Sequence, residues 1–316
     1  MMFLLSERHR LDNYKNEFVY SLTKKYSLLK KIMKKIFLIA TAIFPIMLSA
    51  HAQITKAARN TYKKEGYKLV WADEFNKNGR PDSTSWGYEH GFVRNEEDQW
   101  YQPDNAWCEN GNLIIEARRE KKPNPDYDET SRSWKKNRKE INYTSSCLIT
   151  NKKKTWTYGR FEMRGRIDIS KGMWPAWWTL GVERSWPANG EIDIMEYYRG
   201  MLLANLVTLG RGGKQEWHSK RYSTDSLGGE KWSAAFHTWR MDWSKDSIVL
   251  SVDGQVVNRI ITDSVIDKDG SNFNPFKQPH YMLLNLAIGG QNGGNPDNTS
   301  FPKRFEIDYV RVYQKQ

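Results

Sequence analysis

Three carboxylates fall within six residues, at Glu191, Asp193 and Glu196, and the residues between them are Ile192, Ile194 and Met195. Acids interleaved with apolar strand formers ask for a β-strand with one buried face. In a regular strand Glu191 and Asp193 point the same way, and Glu196, an odd number of places from Glu191, points the other way. One extra residue near Ile194 and Met195, a β-bulge, brings Glu196 back beside the other two. Acids lined up in this way repel one another and are costly to bury unless they share a proton or a partner. Two arrangements satisfy the pattern. One is an acidic strand face that is solvated or binds a cation. The other is a working pair with a helper: one ionised nucleophile and one carboxylic acid whose pKa is raised by its neighbours.

The stretch just upstream, Gly172-Met173-Trp174-Pro175-Ala176-Trp177-Trp178, supplies indoles. Their faces suit the C–H faces of sugar rings. Trp177 and Trp178 are adjacent, so on a strand they face opposite ways and one of them belongs to the core. Trp174 and Trp178 share a parity and are the candidates for the sugar side.

Together the two stretches resemble glycoside hydrolase family 16 in its bulged, laminarinase-like form. Further motifs in the same order extend the resemblance from Leu69 to the C-terminus: Leu69-Val70-Trp71-Ala72-Asp73-Glu74-Phe75, Tyr158-Gly159-Arg160-Phe161-Glu162 and Phe305 to Tyr313. The resemblance implies a retaining mechanism with Glu191 as nucleophile, Glu196 as general acid and base, and Asp193 hydrogen-bonded to Glu191. It implies that Asn95 forms part of a cleft wall and that Arg164 hydrogen-bonds sugar hydroxyls. It also implies that Asp308 helps hold a structural calcium, with no cofactor needed for catalysis. Many laminarinase-like members carry a His near Leu203 to Gly210, and this chain does not. The implied substrate is a β-1,3-glucan or a mixed-linkage β-1,3/1,4-glucan. A galactan hydrolase of the agarase, porphyranase or carrageenase type is the alternative, and a non-catalytic β-glucan-binding protein is a third.

The rest of the chain bounds these readings. Lys34-Lys35, an apolar run from Ile36 to Leu48 and Ala50-His51-Ala52 form a secretory signal with a small-x-small cleavage site. The run is short for a membrane span, and no Cys follows the cleavage site, so no membrane anchor is expected. The expectation is a leader over 1–52, with Met33 as an alternative start, then one catalytic domain over 53–316, exported to the periplasm or outside and acting as a monomer. The leader carries nine Lys or Arg against three acids, which accounts for half of the net charge of +12. A mildly basic exported protein without a recognisable binding motif is not a nucleic-acid partner.

Two cysteines, Cys108 and Cys147, are present. Export permits a disulfide between them; two separate buried thiols are the other reading. The polar stretch from Arg118 to Glu140 is either a solvated insertion or a basic rim that meets an anionic polysaccharide. In Gly159 to Arg166 the even positions carry Arg160, Glu162, Arg164 and Arg166, so one face of that strand is charged and looks onto the cleft or onto water. Trp217, His218 and Trp232 fall in expected loops, where the tryptophans could add subsites. Strand signals recur at short intervals with little helical periodicity after the leader, which argues for two packed antiparallel sheets. The resemblance sharpens this to an all-β jelly-roll sandwich of the concanavalin A-like type with an open substrate cleft.

Overall fold

The short alternating segments pair into two sheets laid face to face. The computed structural model describes Lys30, Tyr62, Lys63 and residues 65–316, and residues Tyr67–Gln316 form one compact unit. The expected signal segment and the alternative start at Met33 lie outside the described residues. No helix among the described residues is long and apolar enough to cross a membrane.

One sheet has seven strands in the order Gln215–Ser223, Met201–Leu209, Glu191–Tyr198, Met173–Gly181, His280–Ile288, Cys147–Ile149 and Gly87–Tyr88. All six pairings in it are antiparallel. The other has ten strands. Its middle is built from His237–Trp243, Gly159–Arg166, Lys303–Lys315 and Asn112–Pro123. One pair in this second sheet, Gln99–Tyr101 with Glu140–Ser145, is parallel. The result is the all-β sandwich that the strand spacing requires.

Alternation decides what fills the space between the sheets. From the ten-stranded sheet Phe161, Met163, Trp239, Met241, Val310 and Val312 point inward; from the seven-stranded sheet Trp177, Ile192, Ile194, Leu206, Leu284 and Leu286 meet them in a single buried cluster. Full burial of side chains of this size contributes about 1.5–3 kcal/mol each, as an upper estimate.

The charged alternate positions of Gly159–Arg166 take the opposite, outer face of the ten-stranded sheet. There they pair with neighbouring strands rather than with a ligand. Arg160 binds Asp242 at 2.5 Å, Arg166 binds Glu306 at 2.8 Å, and Arg164 Nη1 donates to Asp308 Oδ2 at 2.7 Å. Arg311, which is 1 % exposed, donates from Nε and Nη2 to the two oxygens of Glu74, each at 2.7 Å, and so ties the residue that follows Tyr67–Asp73 to the last strand.

Two expectations are corrected here, and a third is not confirmed. Arg164 does not reach the cleft: it sits on the outer face of the other sheet, over the Phe236 ring and paired with Asp308. The calcium expected at Asp308 is not confirmed: its Oδ2 accepts a hydrogen bond from Arg164. Among the described residues no group of three or more His, Cys, Asp or Glu side chains could hold a metal. Cys108 and Cys147 do not form a disulfide. Both are free and buried; Cys108 belongs to the main core of the sandwich, while Cys147 packs with Tyr101, Ala176, Trp178 and Leu283 in a smaller cluster. Burial pushes the Cys108 thiol up to about 12, so it behaves as a small apolar side chain.

The stretch from Arg118 to Glu140 is partly ordered strand, since Asn112–Pro123 runs well into it. Many of its cations are spent locally. Lys121 pairs with Glu140 and Lys122 with Glu120, and Arg138 donates to the carbonyls of Glu96 and Glu97.

Gly181, at the end of Met173–Gly181, fixes the loop over residues 182–190. A Cβ there would lie 2.1 Å from the Asn189 carbonyl oxygen and 2.3 Å from Gln278 Nε2. Those same groups close the loop: Asn189 Nδ2 donates to Gly181 O at 3.0 Å and Gln278 Nε2 to Asn189 O at 2.8 Å. The substitution Gly181→Ala should therefore cost about 1–3 kcal/mol through overpacking. Thermal denaturation should register it as a drop of several degrees; an unchanged melting temperature would show that the loop is not held here.

Candidate active site

The bulge is the local event from which the site is built. In Glu191–Tyr198, Asp193 faces Asn205 and Glu196 faces Leu203, so three steps on one strand match two on its neighbour. On the other side Asp193 faces Trp178, Met195 faces Trp177 and Glu196 faces Ala176. Ile192, Ile194 and Met195 all enter the core. Two consecutive inward residues absorb the extra position, and Glu191, Asp193 and Glu196 line the same open pocket. Trp174, Trp178 and Asn95 line it too.

Each acid is met by a donor from a different element. Trp186 Nε1, from the loop over residues 182–190, donates to Glu191 Oε2 at 2.8 Å. Asn205 Nδ2 donates to both Asp193 Oδ2 and Glu196 Oε2, each at 3.0 Å. Trp174 Nε1 donates to Glu196 Oε1 at 2.8 Å. The Asn205 amide thus clips two carboxylates together, which only the bulged register allows.

Electrostatics follow from this crowding. Burial, then the charge of Asp193, pushes the Glu191 carboxyl well above its ordinary range, against the Trp186 donor. Burial, again followed by the Asp193 charge, does the same to Glu196, against Trp174, Arg221 and Asn205. Asp193 is raised to about 6 by burial, with the Asn205 and Glu191 hydrogen bonds opposing the rise. Burial and mutual repulsion thus disfavour ionising all three acids together.

One end of the pocket is closed by a buried polar network. Trp178 Nε1 donates to Asn285 Oδ1 at 2.7 Å, and Asn285 Nδ2 donates to the Tyr101 hydroxyl at 3.1 Å. Tyr101, Gln99 and Asn95 then donate to Glu97, which is 2 % exposed. The Arg94 guanidinium, paired with Glu89, lies 5.1 Å over the Trp178 ring. At the other side Trp217 from Gln215–Ser223 lines the pocket. In register it follows Glu191 across the sheet, because Glu191 faces Val207 and Val207 faces Trp217.

Several residues of the site escape sequence reasoning. Asn205 is the one polar residue in Leu203-Ala204-Asn205-Leu206-Val207, and a lone amide in an apolar strand is the signal that finds it. Trp186 is marked by nothing except its place five residues before Glu191. Arg94 and Glu97 look like members of a solvated loop until burial distinguishes them. His218 and Trp232 do not line the pocket.

Comparison with known proteins agrees with this architecture. A model of the glycosyl hydrolases family 16 matches residues 96–311. A β-glucanase of Rhodothermus marinus is 33% identical over 310 residues, covering 90% of this chain and 96% of its own length. The catalytic domain of an endo-1,3-β-glucanase (laminarinase) from Thermotoga petrophila superposes with a TM-score of 0.65 at 32% identity, over 79% of this chain and 98% of that one. A structure from a study of endo-acting O-glycanases that human gut microbes use to initiate mucin breakdown superposes with a TM-score of 0.72 at 36% identity, over 79% of this chain and 92% of the other. Sequence match and shared sandwich run along the same part of the molecule, and the chain belongs to glycosyl hydrolase family 16.

Proposed function

We propose that this glycoside hydrolase cleaves β-1,3- or mixed-linkage β-1,3/1,4-glucans internally and with retention, as an exported, monomeric catalytic domain over residues 53–316. The observation that carries the reading is the bulge, which gathers Glu191, Asp193 and Glu196 on the floor of one open pocket. An open pocket across a sheet suits the interior of a polymer. Glu191 attacks the anomeric carbon as the carboxylate, and Glu196 gives its proton to the departing glycosidic oxygen. A glycosyl ester on Glu191 results. Glu196, now ionised, takes a proton from water, whose oxygen attacks the same carbon and releases Glu191. Retention needs the two carboxyl groups about 5–5.5 Å apart. Asp193, hydrogen-bonded to Glu191, keeps charge and proton distributed between the two. Trp174 and Trp178 border the sugar path, with Asn95 at its wall.

A second reading, hydrolysis of galactose-containing glycans, is favoured by the likeness to a keratan-sulfate endo-1,4-β-galactosidase of Sphingobacterium multivorum, 27% identical over 281 residues. A panel of laminarin, barley β-glucan, agarose, porphyran, carrageenan and mucin O-glycans separates the two. Laminarin or barley glucan should be cleaved by the protein lacking residues 1–52. Glu191→Gln and Glu196→Gln should each lose at least about a hundredfold in kcat. Cleavage only of the galactose-containing polymers would replace the substrate; full activity in Glu191→Gln would end the assignment of the site.

Stability supplies an independent check on Glu196. Its carboxyl is raised in the folded state, so the proton is bound more tightly folded than unfolded. The stabilisation is present below the unfolded pKa of about 4.3 and is lost as pH rises through the folded value. Glu196→Gln removes that loss. The variant should melt like the wild type near pH 4 and at a higher temperature near pH 8. Equal melting temperatures at both pH values would mean that the acid is not held protonated by its surroundings.

A further inference from the structure

Among the fourteen tryptophans of the chain, Trp186 and Trp217 are the two that stand exposed, each with 47% of its surface accessible. Both line the pocket of the three acids. Exposing an indole costs apolar burial, and large exposed apolar surface beside a cleft marks a binding surface. Trp186 differs from Trp217 in one respect. Its only polar atom, Nε1, is already spent on Glu191 Oε2 at 2.8 Å, while its ring remains open. An indole N–H can only donate, so this contact favours the ionised form of Glu191. Trp186 has no regular strand to hold it. It belongs to the loop over residues 182–190, which is anchored at its end by the Asn189, Gln278 and Gly181 contacts, with Asn189 two residues before Glu191.

We propose that Trp186 is a positioning residue that couples substrate binding to the state of Glu191: a sugar stacked on the open indole face fixes the ring, and the fixed ring holds its N–H on the Glu191 carboxylate. The inference rests on Glu191 being the nucleophile. Before attack the donor holds one carboxylate oxygen in place and leaves the other to reach the anomeric carbon. No atom of Trp186 is transferred. The titratable groups around Glu191 are Asp193 and Glu196 on its own strand and Tyr281 on His280–Ile288; the facing positions Leu180 and Val207 carry no charge. Asp193 and Glu196 oppose ionisation of Glu191, and Trp186 favours it.

Two variants of the full chain separate the parts of this role. Trp186→Phe keeps an aromatic face and deletes the donor. It should lower kcat by about ten- to a hundredfold with a small change in KM, and move the acid limb of the kcat/KM profile upward by about one pH unit. Trp186→Ala should add a rise in KM. Because the ring is exposed, both should melt within a degree or two of the wild type. A loss of kcat with an unmoved acid limb would reduce Trp186 to a packing residue and overturn the proposal.

A spectroscopic reading stands apart from activity. The indole ¹⁵N–¹H resonance of Trp186, assigned by its absence in Trp186→Phe, should shift as Glu191 titrates, and Glu191→Gln should abolish that shift. A resonance insensitive to pH in the wild type would sink the coupling even if the enzyme were active. Absence of glycosidase activity in the wild type with the titration intact would instead overturn the proposed reaction and leave the hydrogen bond standing.

Discussion

Three carboxylates held within hydrogen-bonding reach of shared donors are the constraint to which the surrounding structure answers. Burial alone drives each of them toward the neutral acid, and the charge of Asp193 drives Glu191 and Glu196 further. A working pair needs one of them ionised. The chain meets that need with fixed N–H donors: Trp186 on Glu191, Asn205 between Asp193 and Glu196, and Trp174 on Glu196. These donors come from a loop, from one neighbouring strand and from the other. No single element could supply them, so the site exists only when the seven-stranded sheet is assembled with its bulge in place. Preorganised donors of this kind cost no reorganisation at the moment of reaction.

The ten-stranded sheet is the support for that arrangement. Its inward side chains, among them Met163, Trp239 and Met241, back the core residues Ile192, Ile194 and Met195 that the bulge turns inward. Interiors are packed closely enough that a shifted register would be felt as a void or a clash. The outer face of the same sheet is laced with ion pairs that include Arg160 with Asp242 and Arg311 with Glu74. The more exposed pairs on this face, such as Arg166 with Glu306, contribute little each. The buried Arg311 matters through its completeness, since it would be costly if it lost Glu74.

The acidic strand is legible because two periods conflict within it: Glu191 and Asp193 obey alternation and Glu196 does not, so a bulge is the physical way to unite them. Trp174 and Trp178 were legible for the same reason, with Trp177 sent to the core. Arg164 was misplaced because alternation gives a charged face without saying which sheet owns it. Asp308 meets Arg164 itself, in a contact between strands that no local pattern announces. The cysteines sit in separate clusters on different sheets, and sequence spacing holds no information on sheet membership. Trp186 and Asn205 were missed because what matters in each is the direction of one N–H group, which depends on tertiary neighbours.

The two sides of the cleft differ in the surface they offer a sugar. Trp178 spends its N–H on Asn285 and has the Arg94 guanidinium over its ring, while Trp186 and Trp217 keep their rings open to water. A guanidinium stacked on an indole competes with a sugar C–H face for the same quadrupole. Open apolar ring surface is therefore concentrated on the side of Trp186 and Trp217, and the closed end of the pocket is lined by the polar residues Arg94 and Asn95. Such a division suits a polymer that must be held firmly beside Glu191 and read by its hydroxyls further along.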